Sequence, residues 1–375
     1  MKLKLTKVIL VTYPDDFILN EAKQLILSIP EYEIVKIFTQ KYFNHAKYGI
    51  GSGKAEEIGK FVKETEEIEE IIVDDHLSSK QIYNLEKLIG VSVKDRERLI
   101  LDIFYTRATT VEAKLQIQLA EIEYEMPRVR ENAKLLSNSK ERAGKGGMGE
   151  YIVDVHFRDL KRQMSFIKEK LNDTKIKRNI YQHQRHKTKM PVVSLVGYTS
   201  SGKTTLFNLL TNESKETSSN LFTTLSTTTR SFKISHNNKN RIREGGILII
   251  DTVGFISRLP TYMIDAFKST LEESLVADLI LLLIDSSEGI EDIRIKYSNC
   301  LQILEELNVD KSKLFTVLTK VDKIDPRMIN EIVGDLRISN DVIAISSKTG
   351  YGIHKLKKLL MKKQLKHKEK MNIKV

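Results

Sequence analysis

Apolar and polar positions fall into three regimes along the chain. Over residues 7 to about 105, short β-branched runs alternate with stretches of helical periodicity. KVILVTY, YEIVKIF, EEIIVDD and VSVKD predict strands, and DDFILNEAKQLILSI, KAEEIGKFVKET and SKQIYNLEKLIG predict helices. That alternation is the pattern of a small parallel sheet covered by helices. From about Glu97 to Gln184 the character is almost wholly helical. ERLILDIFYTRATTVEAKLQIQLAEIEYEMPRVRENAKLL repeats apolar residues at three- and four-residue spacing, and Pro127 is expected to kink this helix or end it near Met126. A second helical run covers roughly Asp154 to Gln184. Between the two stands SNSKERAGKGGMGE, where Gly144, Gly146, Gly147 and Gly149 sit among Lys140, Arg142 and Lys145. Such a segment is either a linker or the tip of a helical hairpin whose small residues permit close approach to a nucleic-acid backbone. Beyond residue 190 the alternation returns, with strands expected at MPVVSLV, RSFKI, GILIID, DLILLLID, KLFTVLT and DVIAIS.

Composition narrows the class. Of 375 residues, 41 % are hydrophobic and 30 % charged, which is the balance of a globular protein with two or three domains. No run of about 18 apolar residues suggests a membrane span. Cys300 is the sole cysteine, so no intrachain disulfide can form, and a cytoplasmic protein is expected. The formal net charge of +11 favours polyanionic partners. From Arg158 to Lys189 there are 11 Lys or Arg against 3 acids, and from His354 to Val375 there are 9 Lys and one acid. These runs read either as solvated helix faces or as contacts to nucleic acid.

Candidate chemistry begins at residue 197. GYTSSGKT follows an apolar strand and opens a helix, TTLFNLLT, so a full G-x-x-x-x-G-K-T loop stands in the context that a phosphate cradle needs. Gly197 and Gly202 permit the sharp turn. The backbone of Tyr198, Thr199, Ser200 and Ser201 can then face phosphate oxygens, with Thr205 in the first helical turn. Lys203 is expected to reach the β- and γ-phosphates, and the Thr204 hydroxyl to ligand Mg²⁺. Strand GILIID runs into DTVGF, where Asp251 is expected to hold Mg²⁺ through water and the Gly254 N–H to meet the γ-phosphate.

The base is read by TKVD. Asp322 can accept both the ring N–H and the exocyclic amine of guanine, an edge that adenine lacks, so GTP is expected over ATP. Lys320 would lie over the base, and a backbone N–H of Ser346, Ser347 or Lys348 would meet the guanine O6. A threonine in NLFTTLSTTTR, residues 220 to 230, should close over Mg²⁺, with Thr228 and Thr229 as candidates. Phe255 occupies the place where many GTPases carry a water-orienting glutamine, so slow intrinsic hydrolysis is expected. A further glycine-rich turn, YGIGSGKAEEI with Lys54, reads either as a tight turn or as a second anion site.

These motifs, together with VKDRERLILDIFYTRATTVEAKLQIQLAEIEY and GKGGMGE, resemble the HflX family of translational GTPases over roughly residues 5 to 365. The resemblance implies an α/β fold in which a small parallel α/β subdomain (1–96) and a long helical hairpin (97–189) precede a P-loop GTPase domain with a mainly parallel sheet (190–365), followed by a basic tail (366–375). It implies GTP and GDP as ligands and binding to the large ribosomal subunit, with the hairpin tip approaching ribosomal RNA and stalled ribosomes being split. A monomer is expected. Two other readings stay open: a GTPase of large-subunit assembly, and a regulatory GTPase acting on a protein partner. Ser200 stands where the family usually has an Asn that helps to hold K⁺, and Thr319 stands where the guanine motif usually has Asn. Thr319 is expected to accept a hydrogen bond there.

Overall fold

The computed structural model describes residues 5–65, 67–138, 148–187, 190–213, 228–238, 241–264, 277–338 and 342–372. Two compact units divide the chain. The first comprises residues 1–172 with Pro260–Ala266, the second Asp173–Leu259 with Phe267–Val375.

The first unit is built on strands β1 (Thr6–Thr12), β2 (Tyr32–Thr39), β3 (Glu70–Val73) and β4 (Ser92–Asp95) in the order β2-β1-β3-β4, all parallel. Val8 to Val11 are completely buried, so both faces of the sheet are covered, as the continuous apolar run of β1 requires. Helices α1 (Asp16–Leu27), α2 (Ser52–Glu64) and α3 (Ser79–Ile89) supply that cover. Their ends are chemically marked. Asp15 accepts the Ile18 N–H at the start of α1, Ser78 and Gln81 form a reciprocal capping box on α3, and left-handed Gly90 ends it.

Helices α4 (Arg96–Arg107), α5 (Val111–Asn138) and α6 (Met148–Lys187) follow, and the boundary between the units falls within α6. α5 and α6 pack through Leu119, Ile122, Leu160 and Ile167, with Met126, Val129 and Met164 alongside. α5 does not end near Met126, one of the two outcomes expected at Pro127, but runs on through the proline to Asn138. Anchors on both sides of the proline explain this. Met126 and Val129 lie against α6. Arg128 donates to the Asp95 carboxylate at 2.7 Å and to the Leu77 carbonyl at 2.8 Å, and Glu131 accepts the Ser79 N–H at 3.0 Å. Together they offset the ~3 kcal/mol that an interior proline costs a helix. Residues 139–147 of the glycine-rich segment lie outside the described residues, while Gly149 falls in the first turn of α6.

A second polar lock closes around Arg96. Its guanidinium pairs with Glu21 at 2.7 Å and with Asp74 at 2.5 Å, all three being buried, and Asp74 also accepts the Thr12 hydroxyl at 2.8 Å. Nearby, His76 Nδ1 lies 3.0 Å from Glu97, whose other oxygen accepts the Tyr262 hydroxyl at 2.9 Å. Tyr262 belongs to the Pro260–Ala266 segment, which thereby joins the first unit.

The second unit carries a six-stranded sheet in the order β10-β9-β8-β5-β7-β6. Its strands are β5 (Val192–Gly197), β6 (Thr228–Asn238), β7 (Arg241–Asp251), β8 (Leu279–Asp285), β9 (Leu314–Thr319) and β10 (Ile343–Ala344), and only β6 runs antiparallel to its neighbour. Every residue of β8 is buried. Among the described residues its helices are α7 (Lys203–Thr211), α8 (Ile290–Glu306), α9 (Pro326–Asp335) and α10 (Ile353–Asn372), with the end of α6. The lysine-rich end expected as a separate tail continues α10 as helix up to Asn372. The YGIGSGK segment is a turn leading into α2, with Gly49 at φ 72° and Lys54 paired to Glu57 at 2.7 Å. Among the described residues no helix is long and apolar enough to cross a membrane.

Candidate nucleotide site

Parallel strands deliver their C-terminal ends to one edge of the sheet, and that edge is where an open α/β sheet binds ligands. Register brings the candidate residues together there. Leu195 of β5 lies beside Asp251 of β7, Gly197 beside Leu283 of β8, and Asp285 of β8 beside Thr319 of β9. β5 is central, with β7 on one side and β8 on the other, so the loop after it sits at the point where the strand order reverses.

That loop is the GYTSSGKT segment. A Cβ at Gly197 would stand 2.4 Å from the Leu283 carbonyl oxygen, so only glycine lets β5 pass β8 at this point. Gly202 is left-handed and begins α7, while Ser200 carries φ 60° without being glycine. The left-handed region is costly for serine and better tolerated by asparagine. Lys203 is buried, and its ammonium donates to the Tyr198 carbonyl at 2.7 Å and the Gly197 carbonyl at 3.1 Å. Burial pushes this lysine down to about 8, against the pull of the Asp251 carboxylate.

Asp251 and Thr204 meet directly, the Thr204 hydroxyl lying 3.1 Å from Asp251 Oδ2 with both residues buried. Two hard oxygen donors side by side beneath a phosphate loop suit Mg²⁺. Thr228 and Thr229 are the first residues of β6 rather than part of a loop. Thr228 pairs with Asp251 in the antiparallel register and Thr229 with Ile250, so Thr228 shares the sheet face of Asp251 and Thr229 takes the other. Residues 214–227, which include the rest of the expected closing segment, lie outside the described residues.

The DTVGF segment lies against the phosphate loop. The Phe255 N–H donates to the Gly197 carbonyl at 3.0 Å, the Thr199 N–H donates to the Phe255 carbonyl at 2.8 Å, and the Ser257 N–H donates to the Tyr198 hydroxyl at 2.7 Å. A Cβ on Gly254 would stand 2.7 Å from a Thr199 methyl and 3.1 Å from the Lys203 ammonium. Glycine is therefore required by close packing as well as by any role at a phosphate. Cys300 is buried close by, and burial pushes its thiol up to about 12, so it behaves as a small apolar residue.

On the other side of the loop stands the TKVD segment. The Thr319 hydroxyl lies 2.8 Å from the Ser201 carbonyl and 3.1 Å from the Ile284 carbonyl. Facing two carbonyl oxygens, the hydroxyl donates its proton; the acceptor role expected from the sequence concerns its lone pairs, which this donation does not use. Its shorter contact ties β9 to the phosphate loop. Asp322 is exposed, and a hydrogen bond from Ser346 holds its carboxyl below the usual range. Ser346 is buried and its hydroxyl accepts the Thr349 N–H at 3.1 Å, while Ser347 and Lys348 continue the same turn at the surface. Thr205 is exposed in the first turn of α7.

Sequence reasoning missed Asp285. It lies at the end of β8, buried, and pairs with the Lys320 ammonium at 2.5 Å. The only signal available was an acid closing an apolar strand in the same sheet as Asp251 and Thr319.

Comparison with known proteins decides the family. A profile described as "GTP-binding GTPase N-terminal" matches residues 17–105, "GTP-binding GTPase Middle Region" matches 107–185, and "50S ribosome-binding GTPase" matches 192–323. A protein named GTPase HflX from Methanocaldococcus jannaschii is 42 % identical over 331 residues, covering 88 % of this chain and 79 % of that one. The chain belongs to the HflX GTPase family. Another HflX GTPase, from Thermococcus kodakarensis, is 38 % identical over 85 % of this chain and 72 % of its own length. Among solved structures, a GTP-binding protein from Sulfolobus solfataricus in complex with GDP superposes with a TM-score of 0.51 at 26 % identity, covering 96 % of this chain and 99 % of that one. As an HflX GTPase with a P-loop domain, the chain binds guanine nucleotide and hydrolyses GTP to GDP and phosphate.

Proposed function

We propose that this HflX GTPase is a GTP-driven switch that binds the large ribosomal subunit and separates stalled ribosomes, with slow hydrolysis that the subunit accelerates. The observation that carries the nucleotide side is the convergence of the GYTSSGKT loop, the Thr204–Asp251 contact and the Asp322–Ser346 contact at one sheet edge. On the ribosomal side, support comes from the matched "50S ribosome-binding GTPase" profile and from the basic runs of α6 and α10.

In this reading Lys203 exchanges its two carbonyl partners for β- and γ-phosphate oxygens, an exchange that favours its charged form. The backbone of residues 198–205 cradles the phosphates, Asp322 selects guanine, and a backbone N–H of residues 346–348 meets its O6. Thr204, Asp251 and Thr228 would hold Mg²⁺, which when bound neutralises charge developing on the phosphates. Gly254 packs against Thr199 and the Lys203 ammonium, so its N–H lies next to the lysine that reaches the γ-phosphate, and the Phe255 contacts to Gly197 and Thr199 tie the DTVGF segment to the phosphate loop. Phe255 is buried and has no group that could align water, so a cellular partner that orders the site would supply the acceleration.

Sucrose gradients of intact ribosomes test this reading. Added protein with a non-hydrolysable GTP analogue is expected to convert whole ribosomes into separated subunits, with the protein comigrating with the large one. Comigration without separation would favour the alternative of a large-subunit assembly factor.

A further inference from the structure

Asp285 lies outside every motif that reads phosphate, metal or base, yet both of its carboxylate oxygens are engaged. One carboxylate oxygen, Oδ1, accepts the Ser287 N–H at 3.0 Å and the Ser287 hydroxyl at 2.7 Å. The other, Oδ2, accepts the Lys320 ammonium at 2.5 Å. Between these two braces, the Ser286 N–H and hydroxyl donate to the Thr319 carbonyl at 3.1 and 2.6 Å. Thr319 in turn donates to the phosphate loop at Ser201. The ends of β8 and β9 are thus laced together immediately behind the segment that carries Lys320 and Asp322.

Lys320 itself is held in an unfavourable backbone state, with φ 56° and ψ 31°. A left-handed non-glycine residue is strained and persists only where its surroundings enforce it. Its side chain, a flexible four-carbon stem, would forfeit rotamer entropy if ordered only on binding. The buried Asp285 carboxylate fixes it beforehand.

We propose that Asp285 is a positioning residue of the guanine site, holding Lys320 in place so that its stem is ready to cover the base of an incoming guanine nucleotide. This rests on the assignment of the guanine site under the proposed function. Asp285 touches no nucleotide atom; it acts through Lys320, and Ser287 keeps it aimed. Pre-ordering of this kind strengthens binding by lowering its entropic cost rather than by adding a contact. Because Lys320 covers the ring while Asp322 reads its donors, Asp285 should raise affinity for GDP and for inosine diphosphate alike, the latter lacking only the exocyclic amine.

Displacement of a fluorescent GDP analogue from the full chain tests the proposal. Asp285→Asn keeps the shape and loses the charge. It is expected to weaken GDP and inosine diphosphate binding by the same factor, about tenfold. Lys320→Met should weaken both, and the double variant should be no weaker than Lys320→Met alone. Ser287→Ala, a milder change, should give a loss of about threefold that disappears in the Lys320→Met background, and it serves if Asp285→Asn fails to fold. Wild-type affinity in Asp285→Asn would overturn the proposal. So would losses that multiply in the double variant, or a fall in the GDP preference over inosine diphosphate, which would mark collapse of the whole base pocket. Lys203→Ala run in parallel separates the two levels. Unchanged GDP affinity there defeats the site assignment itself, whereas lost affinity beside a silent Asp285→Asn defeats only the role of Asp285.

Discussion

Lys203 shows how much a single residue concentrates at this site. Its ammonium is buried and bonded to two carbonyls, so removing it deletes the cation of the phosphate loop while the loop keeps its other contacts. Lys203→Ala is expected to weaken GTP binding at least 100-fold, since charge-assisted bonds contribute about 1.5–3 kcal/mol each, and isothermal calorimetry measures it. The place of this lysine in the fold was legible because the glycines, lysine and threonine of the loop must occupy fixed positions on one strand–turn–helix unit. The place of Asp322 was legible because TKVD follows an apolar strand. Asp285 was not, because its meaning depends on Lys320, 35 residues away, and on a strand register that no local pattern announces. Thr319 was half legible: its position was found, but the direction of its hydrogen bond depends on which atoms face it.

Elements were legible where periodicity was strong. The four short parallel strands of the first unit and all six in the second were anticipated from apolar runs bounded by charged or turn residues, although β6 and β7 extend well beyond their predicted cores at RSFKI and GILIID. Pro127 defeated the local rule because tertiary anchors, invisible at the level of one helix, hold α5 on both sides of it. The most important of these is Asp95, which starts α4 by accepting the Arg98 N–H at 2.9 Å and also accepts Arg128 and the Tyr124 hydroxyl. Asp95→Ala is expected to destabilise the chain by about 3 kcal/mol, because a cap is lost and a mostly buried guanidinium loses its carboxylate. Chemical denaturation of the full chain should show the shift in midpoint. His76 offers a milder test. Its hydrogen bond to Glu97 raises its proton affinity above the ordinary histidine value, so its contribution is fully present below about pH 6.5 and fades as pH rises through the higher folded value. Thermal midpoints should therefore fall slightly from pH 6 to 8. The change should stay below about 1 kcal/mol because the imidazole is exposed, and it should vanish in His76→Ala.

At the scale of the whole molecule, length and charge indicated several domains and a polyanionic partner, but only the family comparison joined them into an HflX GTPase. In the proposed function the basic runs of α6 and α10 contact the ribosome. Such contacts release counterions, so large-subunit binding should weaken steeply with salt in a pelleting assay, by an order of magnitude or more between about 50 and 200 mM. In the proposed function Phe255 leaves the enzyme slow until a partner orders the site. Steady-state GTP turnover is measured with and without purified large ribosomal subunits. Turnover is expected to rise at least about tenfold on adding subunits, in line with the acceleration that partner-supplied order can give a GTPase. Turnover that is already maximal in the isolated protein and indifferent to added subunits would contradict it.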